Sequence, residues 1–300
     1  MSSPASPLPP SVRACMWMGG AILSFSALAI AVRELLRSMG IFEILFLRTF
    51  VALLIISVIV LRAGVGKLRT QRFGIHLARN LAHYGGQWCW VFAIGALPLA
   101  TVFAIEFTMP VWTALLAALL LGERLTAPRL VMLGLGLVGV LLILKPGAGG
   151  GGAFVQPAAL IMVLGALGYA LNMICTKVLI KTDSALAILF WMNLIQTCIG
   201  IFPALPGWVW PTASQLPWVA ALGCGSLFAH YCMTRAFFLA DATIVVSIDF
   251  LRLPLIAVVG ALAYSEALDP IVFVGAAIIF AGTYYSLSRE PRRVPAKAPA

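Results

Sequence analysis

In a chain of 300 residues, 62% are hydrophobic and 10% are charged, far from a soluble domain with about 25% charged residues. At a mean hydropathy of +1.04 there is too little polar surface to coat a water-soluble body, which excludes a soluble enzyme, a disordered chain and a coiled coil. The formal charge of +10 is then a matter of which side of a membrane the basic residues occupy, and a nucleic-acid partner is not expected.

A helix needs about 20 apolar residues to cross a bilayer. The sequence divides into ten such spans, at roughly 13–32, 41–61, 74–95, 99–121, 127–144, 155–176, 185–206, 217–239, 242–263 and 270–288. Pro98, Pro146, Pro206, Pro211, Pro217 and Pro270 fall at or between span ends. The run from Gly147 to Gly152 lacks the Gly-Lys-Ser/Thr that a phosphate-binding loop requires, so it reads as a connector. The Pro/Ser-rich start carries no signature of a cleaved signal peptide. Cys15, Cys89, Cys175, Cys198, Cys224 and Cys232 form no Cys-x-x-Cys pair, and neither a metal nor a cofactor is expected.

Lys and Arg set the orientation. With the N-terminus inside, the inner segments hold fourteen basic residues and the outer ones only Arg33, Arg37 and Lys145. Both termini are therefore expected in the cytoplasm. Trp208, Trp210 and Trp218 crowd the outer end of spans 7 and 8, as an interfacial belt does.

The two halves echo each other. At an offset of 143, Glu106 falls on Asp249, Phe107 on Phe250, Glu123 on Glu266 and Leu125 on Leu268, while Pro110 and Pro254 are one place out. Five spans per half is an odd number, so the second half must be inserted upside down, a signature of secondary transporters with a midplane site between the halves. The expected units are 1–146, a linker at 147–152, and 153–300 with a basic tail.

Pro110, the Leu121-Gly122-Glu123-Arg124-Leu125 stretch, the segment Thr234 to Thr243, the run Asp249 to Leu253 and Ser265-Glu266 carry a resemblance. The chain resembles the EamA type of the bacterial drug/metabolite transporter superfamily, over about residues 14–288. It departs in having Ser265 where a Gly precedes the second Glu. The resemblance implies an all-α integral membrane protein of ten transmembrane helices in two inverted five-helix repeats, a multi-pass protein of the bacterial inner membrane. It also implies export of a small metabolite by alternating access. The overall look is nearest to exporters of aromatic and neutral amino acids; the alternative is another metabolite, a nucleotide-linked compound, sugar or drug, moved by the same fold.

An ionisable group inside a span is a functional hypothesis by default. By depth, at about 1.5 Å per residue, Arg48 and Glu106 share an outer layer and are expected to pair, whereas Arg79 and Asp249 lie nearer the inner side. Glu106 and Asp249 then read as gates on opposite sides of a cavity. Structural pinning of helices by ion pairs is the competing reading for all four. The cavity is expected to be lined by His83, Trp90, Glu106, Tyr169, Asn172, His230 and Arg252, with Arg252 as the cation for a substrate carboxylate. Glu123 and Glu266, at span ends, suit turns or helix caps. Spans 5 and 10 carry no charge and read as scaffold, against lipid or a second copy of the chain. An intramembrane enzyme is the distant alternative; no His-Glu-x-x-His or Gly-x-Ser-x-Gly is present.

Overall fold

The structure is a computed structural model that describes residues 9–144, 156–240 and 242–289. The linker at 147–152 and the basic tail beyond Arg289 lie outside the described residues. The described residues hold helices and no strand: α1 (Pro10–Leu35), α2 (Ile41–Ala63), α3 (Phe73–Ala96), α4 (Leu99–Glu106), α5 (Met109–Leu121), α6 (Ala127–Leu144), α7 (Pro157–Leu179), α8 (Ala185–Ala204), α9 (Leu216–Leu239), α10 (Ala242–Asp249), α11 (Arg252–Tyr264) and α12 (Pro270–Arg289). In hydrocarbon a helix is the natural answer, because it satisfies its own backbone groups. Proline opens α1, α7 and α12, where its missing N–H costs nothing. Ser184 caps α8, its Oγ accepting from the Ala187 amide at 3.1 Å.

Nine segments among the described residues are long and apolar enough to cross a membrane. One of these joins α4 to α5, and another runs from Ile244 through α11. The ten expected from the sequence differ by α3, a helix of 24 residues. Its polar side chains His76, Arg79, Asn80, His83 and Gln87 dilute its hydropathy, and all five are buried. The stripe they form faces protein, not lipid. It meets α7 through glycines: a β-carbon on Gly168 would stand 2.8 Å from the Ala82 carbonyl oxygen, and one on Gly86 3.0 Å from that of Gly165. Small residues of this kind let two backbones approach closely.

Three further helix pairs carry most of the packing: α1 with α9, α2 with α8, and α6 with α12. The small stripe of α1 faces α9, where Gly20 meets Cys232 and Trp17 stands edge-on to Tyr231. The two scaffold spans, α6 and α12, turn out to pack on each other through Gly139 and Gly275.

Spans 4 and 9 read as continuous in the sequence, but each is broken. Eight residues of α4 and thirteen of α5 flank Phe107-Thr108; eight of α10 and thirteen of α11 flank Phe250-Leu251. Pro110 and Pro254 cannot donate to the carbonyl four residues back, which frees the turn before each. The prolines are one place out of register, yet the breaks coincide at the offset of 143. So do the ends: Gly122 at φ 66° closes α5, and Ser265 at φ 54° closes α11 in the same left-handed conformation. The Phe107 and Phe250 rings stack at 4.3 Å.

Candidate functional site

The two breaks converge on one guanidinium. Arg252 opens α11, and its Nη2 donates to Asp249 Oδ2 at 3.1 Å and to Glu106 Oε1 at 3.3 Å. Trp90 Nε1 donates to the other Glu106 oxygen at 2.7 Å. The rings of Phe25, Phe103 and Phe107 surround the guanidinium at 4.9, 5.0 and 5.1 Å. Each charge stands at the wrong end of its helix: the carboxylates close α4 and α10, where the helix dipole is negative, and the cation opens α11, where it is positive. No one of the three is comfortable without the others.

This corrects two expectations. Glu106 and Asp249 are not separate gates on opposite sides, since they share Arg252. Glu106 bonds Trp90 and Arg252 rather than Arg48, and Arg48 makes no hydrogen bond or ion pair among the described residues. Arg48 is nonetheless only 8% exposed. It lies within electrostatic reach of Tyr84, Tyr169, His83 and His230.

Beside the hub, α3 supplies a chain of amides and imidazole. Gln196 Nε2 of α8 lies 2.9 Å from His83 Nδ1 and donates to Asn80 Oδ1 at 3.1 Å. Gln87 Nε2 lies 3.0 Å from His83 Nε2. Arg79 Nε donates to Thr176 Oγ1 of α7 at 2.7 Å and has no carboxylate partner among the described residues. Tyr169 packs on His83, ring centres 5.7 Å apart. His230 stands edge-on to Phe25 at 5.4 Å. Asn172 is half-buried, and its Oδ1 has no partner. Sequence reasoning missed Asn80, Gln87 and Gln196. Their signal was available: Asn80 and Gln87 stand seven residues apart on α3, either side of His83 on the same stripe, and Gln196 is an amide within an apolar span.

Ion pairs hold the two ends. At the end where α1 meets α2, Glu266 pairs with Arg33 and accepts from the Leu99 amide at 2.7 Å, capping α4. Arg33 also donates to the Leu97 carbonyl at 3.1 Å, and Tyr264 to Glu34 at 2.9 Å. At the opposite end Glu123 pairs with Lys177 and with Arg129 at 3.0 Å. The Lys177 hydrogen bond, aided by Arg129, holds the Glu123 carboxyl below its usual range against the opposing effect of burial. The pairs correspond, Glu123 to Glu266 at an offset of 143 and Lys177 to Arg33 at 144.

Near Lys177, His76 Nε2 lies 2.7 Å from Asp183 Oδ2, both side chains almost wholly buried. Burial alone would raise the Asp183 carboxyl; hydrogen bonds from Thr70, His76 and Thr182 outweigh it and leave it below 3.8. A depressed carboxylate stabilises the fold fully above its ordinary value, and that contribution fades as pH falls towards the folded value. Between pH 6 and about pH 3, wild type should therefore lose more stability than Asp183→Asn in detergent melts. Parallel curves would refute the linkage.

The EamA-like transporter family model matches residues 12–145 and again 156–288. An S-adenosylmethionine uptake transporter of Rickettsia prowazekii is 26% identical over 85% of this chain and 86% of its own length. A riboflavin transporter of Rhizobium johnstonii is 31% identical over 77% of this chain and 76% of its own. A pseudopaline exporter of Pseudomonas aeruginosa is 26% identical over 86% and 90%. One solved structure, 20% identical, superposes over 92% of this chain and 96% of its own with a TM-score of 0.63, a likeness of fold. With two matches that together cover most of its length, the chain belongs to the EamA-like transporter family and is a multi-pass membrane transporter of a small molecule, not an enzyme.

Proposed function

We propose that the protein is a secondary transporter of a small metabolite that carries both a ring system and an amino-acid end, and that it works by alternating access around the Arg252 hub. In this reading α3 is the tenth span and the units 1–146 and 153–300 are inverted repeats. The packing supports that symmetry: if α1 corresponds to α7, α2 to α8, α3 to α9 and α6 to α12, the α1–α9 pair becomes the α7–α3 pair. The α2–α8 and α6–α12 pairs map onto themselves. The repeat-equivalent breaks meet where Phe107 stacks on Phe250, on the axis that would relate the halves. The basic residues favour cytoplasmic termini in a bacterial inner membrane.

The observation that carries the reading is the buried meeting of Glu106, Asp249 and Arg252 at two interrupted helices, beside Trp90, Tyr169 and His83. Discontinuous helices at the midplane are where transporters hold their cargo. The carboxylates suit a cationic group and the aromatic rings a planar one. S-adenosylmethionine, the cargo named for the Rickettsia relatives, has both features; so have aromatic amino acids, the expectation from the sequence. Relatives are named for uptake and for export alike, so direction is assigned to the cargo gradient.

The test is transport into proteoliposomes of S-adenosylmethionine, L-tryptophan, L-phenylalanine and riboflavin, with and without a pH gradient. Saturable movement of a ring-bearing amino-acid compound above protein-free vesicles is expected. Movement of none of the four, or of riboflavin alone, overturns the reading.

A further inference from the structure

Among the described residues three arginines are less than a tenth exposed, and they are not equivalent. Arg252 holds two carboxylates, and Arg79 donates to Thr176. Arg48 is more than nine-tenths buried and bonds to nothing among the described residues; its Nε is among the orphaned buried atoms. The one carboxylate on its own helix, Glu43, accepts instead from the Val209 amide at 3.3 Å. A buried cation without a partner costs several kcal/mol, and no hydrogen bond or ion pair among the described residues offsets that cost at Arg48. Tyr84, also more than nine-tenths buried, has a hydroxyl with no partner either, and that hydroxyl lies against Gly200 of α8, where the backbone of Phe46, two residues before Arg48 on α2, also comes close.

We propose that Arg48 is the anion-binding residue of the central site, and that it receives a carboxylate of the transported compound, with the Tyr84 hydroxyl as the second donor. This rests on the transport reading above. It replaces Arg252, the cation first expected for that task, because the Arg252 charge is already matched by Glu106 and Asp249, even though its Nε, like that of Arg48, has no partner. A planar guanidinium offers two parallel N–H groups to a carboxylate. Against a single guanidinium, a dianionic phosphate would remain half compensated.

A residue held in reserve for cargo has a stability signature opposite to that of a structural one. Arg48→Met, which removes an unpaired charge and keeps the volume, should melt in detergent at or above the wild-type temperature without cargo. In proteoliposomes the same variant should raise KM at least tenfold for S-adenosylmethionine and L-tryptophan, the loss of one charged hydrogen-bonded contact. Riboflavin, which has no carboxylate, should stay within about twofold by the same arithmetic. Arg48→Lys should fall between. A lower melting temperature for Arg48→Met, equal losses for riboflavin and the carboxylates, or a wild type that moves riboflavin alone each overturns the proposal. A wild type that moves none of the compounds overturns the transport reading itself.

Discussion

Replacing Arg252 by methionine is expected to cost about 3–5 kcal/mol of stability, the penalty for orphaning buried charge. The change leaves Glu106 and Asp249 facing each other at the ends of α4 and α10 with no cation between them. Trp90 still donates to Glu106, but one neutral donor does not balance two carboxylates. The phenylalanine rings that now face a guanidinium would face anions, which their electron-rich faces repel. Neutralising all three positions together, as Glu106→Gln, Asp249→Asn and Arg252→Met, should recover most of the loss, because no buried charge is then left without a partner. Equilibrium unfolding in mixed micelles measures both variants. A single variant as stable as wild type would mean that the hub does not hold the broken helices together. The contrast with Arg48→Met, expected to go the other way, makes the pair of arginines a joint test.

The second large effect lies at the periphery. A β-carbon at Gly139 would stand 2.6 Å from the Gly275 carbonyl oxygen and 2.5 Å from Ile279. Backbone cannot step aside as the tip of a flexible side chain can. Gly139→Ala should therefore pry α6 from α12 and cost about 1–3 kcal/mol, the usual penalty of overpacking, with Gly139→Leu failing to give monodisperse protein. Gly134, on the same helix, has nothing within 4 Å of its added carbon. Gly134→Ala should be neutral or gain up to about 1 kcal/mol of helix propensity. Equal melting shifts for the two alanine variants in size-exclusion-purified protein would contradict the close crossing.

Much of the fold was legible because lipid leaves a chain few choices: runs of apolar residues near the bilayer thickness become helices. Span 3 was legible by position, although its polar stripe keeps α3 out of the apolar set. The breaks were not, because Pro110 and Pro254 lie out of register and a proline in a long helix more often kinks it than divides it. The pairing of Arg48 with Glu106 failed for a geometric reason. Depth along a helix follows from counting residues, but the direction a side chain faces after a break does not. Glu106 ends a half-helix that turns to meet α11, so its partner came from the other half of the chain. In the sequence Trp90 and Arg252 read as cavity lining and Glu106 and Asp249 as a pair of gates; that the four form one group follows only from the turns at Phe107 and Phe250.

The two end pairs share their chemistry and differ in their access to water. The Arg33 and Glu266 side chains are 19% and 10% exposed, those of Lys177 and Glu123 38% and 22%. Dissolved ions screen exposed charges over about 10 Å at 0.1 M salt and reach buried ones far less. Ionic strength is therefore expected to weaken the Lys177–Glu123 pair more than the Arg33–Glu266 pair, which is backed by the Leu97 carbonyl and the Leu99 amide. A chain built from two matched halves thus responds unequally to the electrolytes on its two sides.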